Sequence, residues 1–162
     1  MDRIKIFVGM EIDWIRPSSE DLIKSLLSKY KLDFFVGSVH HVHTIPIDYS
    51  VALFQEAQSK SHGSLEKLYE DYFDAHYDML RALQPHIVGH CDLIRLKSST
   101  PNASFKIYSS VWEKILRNLD YIVMYGGIIE INSAALRKGL DQPYPVLEIC
   151  QVDIDWFCRW CD

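Results

Sequence analysis

An α/β fold, with parallel strands joined by crossover helices, follows from three features of the sequence. Short apolar runs recur along the chain, amphipathic helical stretches separate them, and Gly or Pro punctuates most junctions. The order reads βαβαβαβ, the pattern of a parallel sheet covered by helices. At 162 residues the chain is long enough for one domain with a sizeable core and too short for two.

Residues 4–8 are apolar apart from Lys5 and predict the first strand. Pro17 and Ser18 then read as a helix start, with Ser18 as N-cap and Asp21 in the capping-box position. Leu22, Ile23, Leu26, Leu27 and Tyr30 follow at helical spacing, and Phe34, Phe35 and Val36 form the second strand, ending at Gly37. Residues 41 to about 60, around Pro46, read as a long loop. Ser64 caps the next helix, in which Leu65, Leu68, Tyr69, Tyr72, Phe73, His76, Tyr77, Leu80 and Leu83 share one broad face. Pro85 ends it, and residues 86–88 form the third strand. Beyond Pro101, Ser110 and Glu113 predict a capping box for a helix running to about Tyr125. Gly126 and Gly127 break that helix, residues 128–131 form the fourth strand, and Pro145 fits the first turn of a final helix.

The composition, 48% hydrophobic and 24% charged, is that of a soluble globular protein. A formal net charge of −5 argues against a nucleic-acid or membrane-surface partner, which a basic stripe would attract. A phosphate-bearing ligand would have to be held by local cations or metal ions against that field. No apolar run has transmembrane length and the N-terminus lacks a signal-peptide pattern, so a cytoplasmic location is expected. Cys91 stands alone, whereas Cys150, Cys158 and Cys161 crowd the last thirteen residues. Cys158 and Cys161 make a C-x-x-C with no second pair, which reads as incidental rather than as a zinc site.

The polar residues that stand out share one place in the repeat. Glu11 follows the first strand, His40 and His41 the second, His90 and Asp92 the third, and Glu130 and Asn132 end the fourth. In a parallel sheet the carboxyl ends of the strands share one side, so these groups should converge. A single Glu or His after a strand is usually solvated or packed. Carboxylate and imidazoles on three successive strand ends instead make a metal-site composition, suited to zinc, manganese or iron. His62, His76 and His86 fit ordinary loop, helix-face and packed positions.

The same residues carry a resemblance. Residues 9–14 (GMEIDW), 36–41 (VGSVHH), 87–95 (IVGHCDLIR) and 130–133 (EINS) resemble successive motifs of histidinol-phosphatases of the polymerase-and-histidinol-phosphatase (PHP) family. Residues 43–48 and the stretch from Leu136 to Pro145 are similar to fungal members in particular. The resemblance implies part of a distorted (β/α)7 PHP-type barrel over residues 1–150, with 151–162 as an atypical tail. It implies a centre of divalent metal ions held by Glu11, His40 and His90, which would be the catalytic residues. It also implies hydrolysis of L-histidinol phosphate to L-histidinol and phosphate, in histidine biosynthesis, by metal-activated water. Arg137, with Lys138 and Arg95 as helpers, would bind the phosphate, since a guanidinium fork matches two phosphate oxygens.

Two family motifs are missing from the sequence. The N-terminal His-x-His would lie ahead of Met1, and no Asp-x-His follows Cys150; Asp153 and Asp155 do not replace it. One carboxylate and two imidazoles are few donors for several metals, so the 162 residues alone are expected to hydrolyse histidinol phosphate poorly or not at all. Another PHP phosphoesterase, or a non-catalytic remnant of the family, are the alternative readings.

Overall fold

In a computed structural model that describes residues 4–152, the elements run β1 (Gly9–Asp13), α1 (Ser19–Lys29), β2 (Phe34–Ser38), β3 (His41–Val42) and β4 (Ile45–Pro46). There follow α2 (Val51–Lys60), α3 (Leu65–Leu83), β5 (Ile87–Val88), α4 (Ser109–Tyr125), β6 (Ile128–Ile129) and the single turn α5 (Ala134–Arg137). β1, β2, β5 and β6 pair in that order, all parallel, as an open four-stranded sheet among the described residues. β3 and β4 form a small antiparallel hairpin beside it. The α/β class and the parallel sheet are therefore present.

Registration of the strands decides which side chains share a face. Glu11 lies opposite Val36, Ile12 opposite Gly37, and Gly37 opposite Val88. Successive side chains point to opposite faces, so Ile12, Phe35 and Val88, all buried, look toward the helices. Glu11, Asp13 and Ser38 look to the other face. The helical side is tightly filled: a Cβ on Gly37 would stand 2.8 Å from Pro85 Cγ and 3.0 Å from Met79 Sδ.

The longest helix follows its sequence pattern. Leu68, Tyr69, Tyr72, Phe73, His76, Met79 and Leu80 of α3 are buried at helical spacing. Ser64 Oγ accepts the Lys67 N–H at its start, and Gln84 closes its end in the left-handed conformation just before Pro85. α4 lies against it through Val111, Ile115, Leu119 and Ile122, and stops at Gly126 with φ 78°. Asp74 of α3 pairs with Lys114 at 2.7 Å and Arg117 at 2.9 Å of α4.

Several expectations are corrected. Residues 4–8 form no strand: Val8 exchanges bonds with the turn before β2, donating to Asp33 Oδ2 at 2.8 Å and accepting from Asp33 N at 2.8 Å. The strand begins at Gly9, and Glu11 sits in its middle rather than after it. Residues 41–60 are not a loop. They hold the hairpin and α2, whose only fully buried residues, Phe54 and Ala57, left too thin an apolar stripe to read. Neither Ser18 nor Ser110 forms the expected cap. Ser18 is itself helical in backbone with no side-chain cap bond, and Ser110 Oγ donates to Glu66 across to α3 at 2.8 Å. The fourth strand stops at Ile129, because Asn132 turns back to bridge Tyr144 antiparallel. Pro145 precedes, rather than enters, the helical residues 147–152. Asp153, Asp155, Cys158, Cys161 and the rest of the expected tail from 153 onward lie outside the described residues. Among those described, no helix is long and apolar enough to cross a membrane.

His76 is a buried titratable side chain in the α3 interface. Its ring is buried, and neither nitrogen has a hydrogen-bond partner among the described residues. Burial, with smaller contributions from His90 and Arg117, pushes its pKa down to about 3. The unfolded chain, with an ordinary value of about 6.5, therefore binds a proton that the folded chain refuses. More protons on the unfolded side means stability rises with pH, so this contribution is intact above pH 6.5 and lost toward pH 3. Between pH 7 and pH 4.5 the loss from this group is expected to be roughly 2–3 kcal/mol. Urea unfolding at the two pH values should show His76→Leu losing less stability than the parent by about that amount. An equal loss in both proteins would mean that His76 is not held neutral.

Candidate metal centre

The open face of the sheet gathers polar groups at the carboxyl ends of its strands. Glu11 projects from β1, His40 stands two residues beyond β2, His90 two residues beyond β5, and Glu130 directly follows β6. One donor atom each from Glu11, His40 and His90 lies within 4.8 Å of the others. Glu11 Oε1 is 3.5 Å from His40 Nε2 and 3.6 Å from His90 Nε2, and the two Nε2 atoms are 3.1 Å apart.

Each imidazole is held from behind by a carboxylate. His40 Nδ1 lies 3.0 Å from Asp48 Oδ2, and His90 Nδ1 lies 3.4 Å from Glu130 Oε2. Both rings therefore turn Nε2 toward the same point. This is how metal-ligating histidines are commonly oriented, with the second ring nitrogen committed to an outer carboxylate. The backbone is secured too: Asp13 Oδ1 accepts the His40 N–H at 3.1 Å and Glu130 Oε2 accepts the His90 N–H at 3.0 Å. Asp48 arrives because the hairpin folds back, with Ile47 N donating to His40 O at 2.9 Å.

Protonation follows from these neighbours. Burial opposes charge on His40, but the bond and charge of Asp48, with Asp13 and Glu11, outweigh it and raise its pKa. For His90, burial and the charge of His40 win over Glu11 and Glu130, and its pKa falls. Burial alone would raise Glu11, yet the Ser38 hydroxyl, 2.8 Å from Oε1, and the two imidazoles hold the carboxyl below its ordinary value. The trio presents one carboxylate and two inward ring nitrogens. That hard-and-borderline donor set fits a divalent first-row ion.

Close approach of the strands is a condition of this geometry. A Cβ on Gly89 would stand 2.5 Å from Ser38 Oγ and 2.9 Å from Val36 Cγ1. Only glycine lets β5 leave the sheet there without displacing the hydroxyl that steadies Glu11.

The remaining expected site residues divide. His41 turns away from the trio, its Nδ1 2.9 Å from Asp13 Oδ2. Arg137, exposed at the end of α5, has Nη1 3.4 Å from Ser133 Oγ. Lys138 is exposed and near enough to Asp48 for its charge to favour that carboxylate. Arg95 does not fit a phosphate-binding role: it is 1% exposed and all its contacts are inside the protein. It donates to Asp92 Oδ2 at 2.9 Å and to the carbonyls of Gln142 and Pro143 at 2.8 and 2.6 Å. Sequence alone gives no role to the outer carboxylates Asp48 and Glu130 or to the hydroxyl of Ser38. Glu130 carried a signal in its strand-end position. Asp48 carried none, since its neighbour is set by the hairpin.

Comparison with known proteins accords with this geometry. The PHP domain family model matches residues 1–134. A probable histidinol-phosphatase of Schizosaccharomyces pombe is 46% identical over 155 residues, covering 95% of this chain and 51% of that relative. The histidinol-phosphatase of Saccharomyces cerevisiae is 34% identical over 172 residues, covering 93% and 51%. A probable histidinol-phosphatase of Deinococcus radiodurans is 24% identical over 148 residues, covering 91% and 52%. The chain spans about half the length of the curated relatives it matches.

Removing the Ser38 hydroxyl should raise the pKa of Glu11, because that bond favours the charged form. Ser38→Ala is expected to move the Glu11 midpoint to higher pH than in the parent. A carbon-13 titration of the Glu11 carboxyl measures it; an unchanged midpoint would mean that the imidazoles alone hold it down.

Proposed function

The chain belongs to the PHP domain family, and on that footing we propose that it carries part of the catalytic centre of a metal-dependent histidinol-phosphatase. The reaction proposed, for a chain of the relatives' length, is hydrolysis of L-histidinol phosphate to L-histidinol and phosphate, in histidine biosynthesis and in the cytoplasm. The observation that carries the reading is the convergence of Glu11, His40 and His90, with both Nδ1 atoms committed to outer carboxylates.

Glu11, His40 and His90 are the proposed catalytic and metal-holding residues, for zinc, manganese or iron. Such an ion, when bound, polarises phosphoryl oxygen and makes water acidic enough to react at neutral pH. Water adds its oxygen to phosphorus, the ester P–O bond breaks, and the alcohol leaves with a proton. Asp48 and Glu130 keep the two imidazoles aimed, and Ser38 keeps Glu11 ionised and in place. Arg137, helped by Lys138, is proposed to neutralise the phosphate in an otherwise acidic protein. Residues 1–150 are proposed as the extent of this portion of the PHP domain, with 151–162 apart from it. The small-molecule ester, rather than nucleic acid or membrane, is the proposed partner, in keeping with the net charge of −5.

Equilibrium dialysis with zinc and manganese tests the ligand set directly. Glu11→Gln, His40→Ala and His90→Ala should each lower affinity at least about tenfold, and His41→Ala much less. A stronger effect at His41 than at His40 would sink the assignment.

Phosphate release tests the chemistry, using a chain extended to the relatives' length. Arg137→Ala should raise KM for L-histidinol phosphate by roughly tenfold to a few hundredfold, the worth of a charge-assisted hydrogen bond. Unchanged kinetics would place Arg137 on the surface, and absence of phosphate release with any of the three metals would reject the function.

A further inference from the structure

We infer that Arg95 is a positioning residue for the His90 imidazole, acting from the interior through Asp92 on one side and the Pro143–Tyr144 segment on the other. Its link to the reaction rests on the metal-centre reading; its link to His90 rests on geometry alone.

A guanidinium taken out of water is retained only where its donors are used. Arg95 uses them on three stretches of chain. Nε donates to Asp92 Oδ2 at 2.9 Å, within the turn that directly follows His90. Nη2 donates to the carbonyls of Gln142 and Pro143, and Nη1 reaches Pro101 O at 3.4 Å. The guanidinium carbon also lies 5.0 Å from the centre of the Tyr144 ring. Asp92 completes the clamp, since the same Oδ2 accepts the Val146 N–H at 2.9 Å. Residues 142–146 are thus fastened to the chain just beyond His90 by one buried ion pair.

The fastened segment returns to His90 by a second route. Tyr144 places its ring 6.4 Å from the His90 ring, centre to centre. Its backbone bridges Asn132, with Asn132 N donating to Tyr144 O at 2.7 Å and Tyr144 N to Asn132 O at 3.0 Å. Asn132 Nδ2 donates to Glu130 Oε1 at 3.1 Å, and the other oxygen of Glu130 holds both the backbone N–H and Nδ1 of His90. The circuit closes: His90, Asp92, Arg95, Pro143, Tyr144, Asn132, Glu130 and His90 again.

His90 needs such a frame. Its φ is +25°, a conformation that residues with a Cβ adopt only when their surroundings impose it. Two of the restraints on it, Glu130 and the turn held by Asp92, are joined through Arg95. Loss of the guanidinium fork should therefore be felt at the His90 ring before the core is lost.

The test uses the 162-residue chain with cobalt(II) as probe, and Phe73→Leu as a control for general loosening of the core. Arg95→Lys keeps the charge but loses the fork. It should retain the parent's circular dichroism, bind cobalt about 10- to 100-fold more weakly, and show altered visible absorption bands. Phe73→Leu, also destabilised, should keep the parent's affinity and bands. If Arg95→Lys does not fold, Asp92→Asn serves, since it preserves shape and weakens the pair; it should shift affinity the same way by about three- to tenfold. Parental affinity and bands in the folded Arg95 or Asp92 variant would overturn the proposal. If the parent binds no cobalt, or His90→Ala binds it equally well, the metal reading fails instead. The positioning claim is then decided by nitrogen-15 spectra of the His90 ring: shifted in Arg95→Lys, it stands; unshifted, it falls.

Discussion

At 3.1 Å, the Nε2 atoms of His40 and His90 are too close for both to carry a proton toward each other. One must offer a lone pair, so the two rings titrate as a pair and not as two separate histidines. Asp48 draws charge to His40, and burial together with that charge denies it to His90. The arrangement is tolerable without a cation because one N–H can bridge the gap. A bound cation would take both lone pairs, and the carboxylate of Glu11 would balance part of its charge. Nearly every other polar contact on this face serves to keep those two nitrogens so near.

The cost of that proximity is spread over the fold. Asp48 comes from the β3–β4 hairpin, Glu130 from the far strand, Ser38 from β2 and Asp13 from β1. β1, β2 and the residue that follows β6 thus each contribute a group to the frame, and β5 carries the imidazole that the frame holds. The opposite face does different work: Ile12, Phe35 and Val88 bury against the helices and fix where the strand ends lie. Apolar packing sets the platform, and hydrogen bonds aim what stands on it.

Much of this was legible from residue order. Apolar runs alternating with amphipathic stretches gave the parallel α/β class, and repetition of Glu or His at strand ends gave the trio. α3 was clear because seven of its buried residues fall on one stripe. α2 was not, since Phe54 and Ala57 alone make too weak a stripe beside Pro46. Apolarity over residues 4–8 does not bring pairing with it: Ile6 and Phe7 are apolar and yet exposed. Arg95 shows the same limit for charge. A cation beside a strand-end motif looks alike in sequence whether it faces solvent or spends its donors on backbone carbonyls. Only the fold of residues 142–146 over it decides.

Gly89 brings the two halves of the molecule's logic together at a residue with no side chain. It contributes no side-chain donor and no charge; its backbone N–H only continues the sheet to Gly37 O at 2.9 Å. Its contribution is the missing methyl group, which lets Ser38 Oγ and Val36 Cγ1 close in where a Cβ would stand. A genetic selection for failed metal capture would therefore return Gly89 beside the ligands, although nothing at that position ever touches an ion. Sequence tolerance at this centre is governed by volume as much as by chemistry, and the smallest residue on the face is among the least replaceable.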